Sequence, residues 1–171
     1  MESPVTGKDL VERLGLARHP QGGFFRQTHE STRTIDTPDR IDGQRPTFNT
    51  IFYLLTRESP IGHFHKDRSE ILHYFHLGAP LTYLTISPEG ELATTILGPD
   101  ITRGHVLQLL VPANTWKATL LDGDFGLLSE IVVPGYDPRD MEIARADRLT
   151  RLFPHLADRV LPYVARDPLA D

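Results

Sequence analysis

The sequence contains no cysteine, which excludes disulfide staples, thiolate nucleophiles and cysteine metal ligands together. Basic charge is also scarce, since 18 Lys and Arg stand against 23 Asp and Glu and give a net charge of -5 with a pI near 5.9. That balance lacks the positive footprint that phosphate backbones select, so nucleic acid is not an expected partner. No apolar run approaches the roughly 20 residues needed to span a bilayer, and no membrane association is expected. The opening stretch, Met1 to Asp9, lacks the basic and then apolar pattern of a secretory signal, which makes the cytoplasm the expected compartment. Internal repeats, low-complexity tracts and domain linkers are missing too. What remains is a chain of 171 residues, 39% hydrophobic and 24% charged, read as one domain over residues 1–171 that can bury a core unaided.

Turn chemistry divides the chain. Thr6-Gly-Lys-Asp9 reads as a capping box ahead of Leu10, Val11 and Leu14 at one-face spacing, with Gly15 placed to end a short N-terminal helix. Residues 36–46 form a polar loop with Pro and Gly, expected to be a mobile cover, an interface arm or disordered. From Phe48 to Pro134, short apolar or alternating runs near residues 50–55, 62–65, 71–75, 81–87, 92–97, 105–111, 115–120 and 126–133 alternate with Pro- and Gly-bearing breakers. Many short strands at such spacing indicate an antiparallel sandwich or barrel, mainly β. After Pro134-Gly135 the pattern predicts a helix over 140–153, carrying Leu149, Leu152 and Phe153 on one stripe and stopped by Pro154.

The richest stretch is Ile61-Gly-His-Phe-His-Lys-Asp-Arg-Ser-Glu-Ile-Leu-His-Tyr-Phe-His76. On a regular strand His63 and His65 share a face, and a turn then lets Glu70 return a carboxylate beside them. Eight histidines will place some pairs together by chance, so the carboxylate is what raises the stretch to a candidate site.

These residues resemble the cupin superfamily. His63-x-His65, Glu70 and Gly78 resemble its first motif, and Pro112-Ala-Asn-Thr-Trp-Lys117 resembles its second. Gly22-Gly-Phe-Phe-Arg-Gln-Thr-His29, Thr50-Ile-Phe-Tyr-Leu-Leu55, Ser69-Glu-Ile-Leu-His73 and Val133-Pro-Gly-Tyr-Asp137 look like a branch of small, largely uncharacterised microbial cupins, a likeness covering about residues 20–153. It implies a double-stranded β-helix, the jelly-roll barrel, over about residues 20–135, with a helical extension over about 138–171.

Carried over, His63, His65 and Glu70 match positions that hold a divalent ion in metal-binding cupins. The usual Gly and His of the second motif are Asn114 and Lys117 here, so the fourth ligand is missing, and an ammonium has no lone pair to donate. Two occupations follow. One is a divalent metal (iron, manganese, nickel or zinc) on three ligands. The other is a metal-free pocket in which Lys117 is the cation and His65 and Glu70 move or orient a proton, similar to the sugar-nucleotide epimerases of the superfamily.

Tyr53 or Tyr74 would supply an aromatic hydroxyl, and His76 and Trp116 would help bind substrate, with strict strand parity favouring His76 over His73. The expected activity is isomerase- or epimerase-type proton transfer on a sugar-like or carboxylate small molecule. A metal-dependent oxygenase or decarboxylase and a non-catalytic binding module are the alternatives. A homodimer is expected because the sheet edges of small barrels commonly pair across a two-fold axis.

Overall fold

A computed structural model of the chain describes residues 5–166. The capping box forms as its residues dictate: the Thr6 hydroxyl accepts from the Asp9 amide, Asp9 reaches back to Thr6, and Gly15 at φ 61° closes α1 (Gly7–Leu14). The strands follow in the order β1 (Ala17–Arg18), β2 (Phe24–Glu30), β3 (Thr34–Asp36), β4 (Gln44–Pro46), β5 (Asn49–Thr56), β6 (Ile61–Asp67) and β7 (Glu70–Gly78). Next come β8 (Leu81–Ile86), β9 (Leu92–Leu97), β10 (Gln108–Val111), β11 (Trp116–Leu121), β12 (Phe125–Val133) and β13 (Met141–Ile143), then α2 (Ala146–Leu152) and α3 (Ala157–Val160).

Two antiparallel sheets face each other, one ordered β1-β2-β5-β12-β7-β10 and the other β13-β6-β11-β8-β9. This is the mainly β sandwich that the alternating runs imply, in the jelly-roll form that the resemblance implies. Each sheet also packs on its outer side. α1 lays Leu10 on Leu54 and Leu127 of the six-stranded sheet. Leu149, Phe153, Leu156, Val160 and Val164 cover Phe64, Trp116 and Ala118 of the other. Between the sheets, Tyr53, Leu55, Leu81, Tyr83, Leu97 and Leu128 close one end of the barrel with apolar packing and leave the other end to polar side chains.

Two elements differ from expectation. The helix predicted over 140–153 shrinks to α2, because Met141–Ile143 instead pairs with Asp67–His65 as an edge strand of the five-stranded sheet. The loop over 36–46 is fastened to the barrel. Arg45 forms a two-pronged pair with buried Asp140 (2.7 and 3.1 Å), and Arg40 reaches the same carboxylate (3.3 Å), the Ser69 hydroxyl (2.8 Å) and the Arg68 carbonyl (2.7 Å). The β3–β4 hairpin is therefore a strap across the turn between β6 and β7.

Candidate active site

The polar end of the barrel contains a cavity of about 150 Å³. Phe25, Ile51, Ile71 and Val132 supply apolar wall, while His19, His65, Asp67, Lys117 and Glu130 supply titratable groups. Exposed Pro20 and Gln27 stand at its mouth.

Its centre is a buried charge cluster built across three strands. In-register pairing sets Glu130 of β12 opposite His73 of β7, and Lys117 of β11 meets both from the facing sheet. Lys117 is 2% exposed, Glu130 7% and His73 0%, so solvent does little to screen them. His73 Nδ1–H donates to the Leu109 carbonyl (3.2 Å), leaving Nε2 to accept from the Lys117 ammonium (2.8 Å). Glu130 lies 3.8 Å from Lys117 Nζ and 3.4 Å from His73 Nε2. Burial opposes its charge, but Lys117 and then His73 outweigh burial and hold the carboxyl below its ordinary range. For Lys117 burial wins, and its affinity for a proton falls below that of a free ammonium.

His65 stands on the adjacent strand, with its Cα opposite that of Lys117. Its Nδ1–H donates to the His63 carbonyl (2.8 Å), and no described residue hydrogen-bonds Nε2. Burial first, and the Lys117 charge second, push its pKa well below 6.5. A neutral imidazole therefore lines the cavity with a free lone pair, which is the equipment of a general base. His19, held edge-on to Phe25 and Tyr53, is pushed down to about 4 by burial and is likewise neutral.

His65 and Lys117 thus come together, and other expected members do not join them. His63 leaves because β6 bulges. Gly62 pairs with Thr119 and His65 with Lys117, so two residues of β6, His63 and Phe64, stand opposite Ala118 alone of β11 and the alternation breaks between them. The His63 ring points instead to the Tyr163 carbonyl (3.3 Å) in the C-terminal extension. Glu70 starts β7 on the exposed outer face, because the inward set is Ile71, His73 and Phe75, and Tyr74 and His76 share that outer face. His76 donates to or accepts from the Ser129 hydroxyl (2.8 Å) there. The parity argument that favoured His76 is corrected to His73.

Tyr53 does face inward, but it is packed against Gly62, and its hydroxyl donates to the Gly22 carbonyl (2.8 Å). Trp116 lies on the outer side of its sheet under the C-terminal helices, with Lys66 over its ring. Among the described residues no three His, Asp or Glu side chains are grouped to hold a metal ion. The metal triad read as His63, His65 and Glu70 is therefore not assembled, and the ammonium beside His73 and Glu130 would repel a divalent ion.

Glu130 is the carboxylate that local spacing missed. Its signal was a lone charge within the apolar run 126–133, on the same face as Leu128 and Val132. Asn114, standing where the second motif usually has Gly, adopts φ 61°, and Asn is one of the few side chains tolerated there. The turn is thus kept while the ligand three residues later is exchanged for Lys117.

Comparison with known proteins agrees with this fold. The family described as Cupin superfamily (DUF985) matches residues 8–144. The uncharacterized protein YML079W of Saccharomyces cerevisiae is 34% identical over 153 residues, covering 81% of this chain and 75% of its own. A hypothetical protein from Leishmania major superposes with a TM-score of 0.86 at 27% identity, over 95% of this chain and all of its own. The protein SO0799 of Shewanella oneidensis does so with the same score at 30% identity, over 96% of this chain and 100% of its own. Oxalate decarboxylase from Bacillus subtilis shares the fold alone, with a TM-score of 0.54 at 9% identity over 88% of this chain and 37% of its own.

Proposed function

The chain belongs to the DUF985 branch of the cupin superfamily, and from that premise we propose that it is a small-molecule enzyme performing isomerase- or epimerase-type proton transfer inside its barrel. The observation that carries this reading is the free Nε2 of buried, neutral His65, on the strand beside Lys117 and in the wall of the same cavity. His65 takes a proton from carbon next to a carbonyl or carboxyl group. Lys117 faces the negative charge that develops on oxygen, a placement worth most in a dry site where the cation is already fixed. Glu130 and His73 are positioning residues that hold the ammonium, so the carboxylate role first read at Glu70 passes to Glu130. The volume favours a compact substrate, because a cavity of this size accommodates about six non-hydrogen atoms of benzene. A small oxo or hydroxy acid fits that limit better than a sugar.

The test is exchange of carbon-bound protons in D₂O, followed by NMR across small oxo acids, hydroxy acids and sugars. Wild-type protein is expected to exchange one class of C–H, and His65→Gln to slow it by about 10²–10⁴-fold, the usual worth of a positioned base. Binding without exchange in the wild type would instead identify a ligand-binding module.

The same proposal includes a homodimer. β10 is the edge of the six-stranded sheet, and Leu107 and Leu110 beside and on it are about half exposed, which supports pairing there with a second copy.

A further inference from the structure

Three lysines occur in the sequence, and their surroundings differ sharply. Lys8 is on the open face of α1 near Glu12, and Lys66 is paired with Glu142 (3.3 Å) while lying over Trp116. Lys117 alone lines the barrel cavity. His73 and Glu130 give it an arrangement that works in two protonation states. With the proton on Nζ, the ammonium donates to His73 Nε2 and faces the Glu130 carboxylate. With the proton passed to His73 Nε2 across the 2.8 Å hydrogen bond, the imidazolium keeps its Nδ1–H on the Leu109 carbonyl and has Glu130 Oε1 3.4 Å from its new Nε2–H nitrogen. The second state leaves Lys117 as a free amine at the cavity wall, and the pair of opposite charges merely moves from Lys117–Glu130 to His73–Glu130.

We propose that Lys117 is a nucleophile that forms an iminium linkage with a small carbonyl compound in the barrel cavity. The proposal rests on the proton-transfer reading above and deepens it, since it gives the substrate class as an aldehyde or ketone and makes the iminium nitrogen, in place of an ammonium facing oxygen, the group that takes up the developing negative charge. The amine attacks the carbonyl carbon, the C–O π pair becomes an alkoxide, and that alkoxide takes one proton from the attacking nitrogen to give a neutral carbinolamine. His73 returns its proton to the departing hydroxyl, so Lys-NH₃⁺ plus carbonyl yields the iminium plus water with charge conserved. The iminium nitrogen then draws electrons from the neighbouring carbon, and His65 Nε2 removes the acidified proton. Glu130 remains ionised throughout and faces whichever nitrogen is positive. Desolvation, which lowers the basicity of Lys117, raises the fraction of free amine.

The experiment is reductive trapping of full-length protein with sodium cyanoborohydride and, separately, glyoxylate, pyruvate and 2-oxobutyrate, followed by intact mass and peptide mapping. Hydride from the reagent reduces any iminium to a stable secondary amine. The wild type contains its own controls, because labelling at Lys117 is compared with Lys8 and Lys66 in the same molecules. Lys117 is expected to label faster than Lys8 with one or more probes, because the cavity holds the carbonyl beside an amine whose proton has an acceptor 2.8 Å away. Lys117→Arg, which keeps charge but cannot form the linkage, is expected to lose that adduct. Labelling of Lys8 with none at Lys117, or equal rates at the two, overturns the proposal even if the variant fails to fold. Wild-type C–H exchange that persists in folded Lys117→Arg would overturn the iminium step while leaving proton transfer by His65 intact. Loss of both adduct and exchange in the wild type would remove both readings.

Discussion

Replacing Lys117 by Met removes one charge of a buried pair and leaves the other stranded. At 3.8 Å and an effective dielectric near 20, the attraction between Lys117 and Glu130 is ~4 kcal/mol, much of which offsets the desolvation of both groups. Breaking such a pair from one side costs about 3–5 kcal/mol, because the remaining ion is buried without a partner. Removing both, as in Lys117→Met/Glu130→Leu, should return stability to within about 2 kcal/mol of wild type, so the double-mutant cycle should show strong coupling. Urea unfolding of the wild type, the two single variants and the double variant measures this.

The pH dependence gives an independent check. In the wild type the folded pKa of Glu130 lies below its ordinary 4.5, so its contribution is present above about pH 4.5 and fades as pH falls through the folded value. Without Lys117 burial dominates and the folded pKa rises above 4.5. The carboxyl then favours the folded state when protonated, and that gain is lost as pH rises through the raised value. The deficit of Lys117→Met relative to wild type should therefore shrink from pH 7 to pH 5. A pH-independent deficit, or additive single variants with coupling under about 1 kcal/mol, would refute the buried pair.

Other outcomes follow from the same geometry. His19, His65 and His73 all have folded pKa values depressed below 6.5 by burial, so the unfolded chain binds more protons. Wild-type stability should fall as pH drops from about 6.5 toward 4, with net proton uptake on unfolding readable from the pH slope of urea data. Asp140→Asn should cost about 3–5 kcal/mol and make residues 34–46 a preferred site of limited proteolysis, since it strips the carboxylate from buried Arg45 and Arg40. Exposed Glu70→Gln should change stability by no more than about 0.5 kcal/mol and leave ligand affinity unaltered by calorimetry. Leu107→Glu/Leu110→Glu should convert a dimer to a monomer in sedimentation equilibrium without loss of β-structure by circular dichroism.

The barrel was legible because its strands alternate and its breakers carry the residues that turns require. Lys117 and His65 were legible through two short stretches at family-like positions. The rest of the site depends on pairing between strands far apart in sequence. Glu130 meets His73 only because β12 lies beside β7, and local spacing contains no trace of that neighbour. The error at His63 has a specific cause: one extra residue in β6 against β11 reverses which side chains face the cavity, and alternation cannot reveal a bulge. Placing Glu70 inward then carried His76 to the wrong face with it, since both share parity on β7. The strap at residues 36–46 was misread because its polar composition resembles a loose loop, whereas its arginines find Asp140 nearly a hundred residues later.

The most direct measurement is C–H exchange in D₂O by protein treated with chelator, with residual metal quantified by elemental mass spectrometry. A site working through His65 and Lys117 should keep full exchange without metal, lose it in His65→Gln, and keep it in His63→Ala and Glu70→Gln. Exchange that vanishes on chelation, returns with added iron or manganese, and is abolished by His63→Ala or Glu70→Gln would contradict the metal-free site.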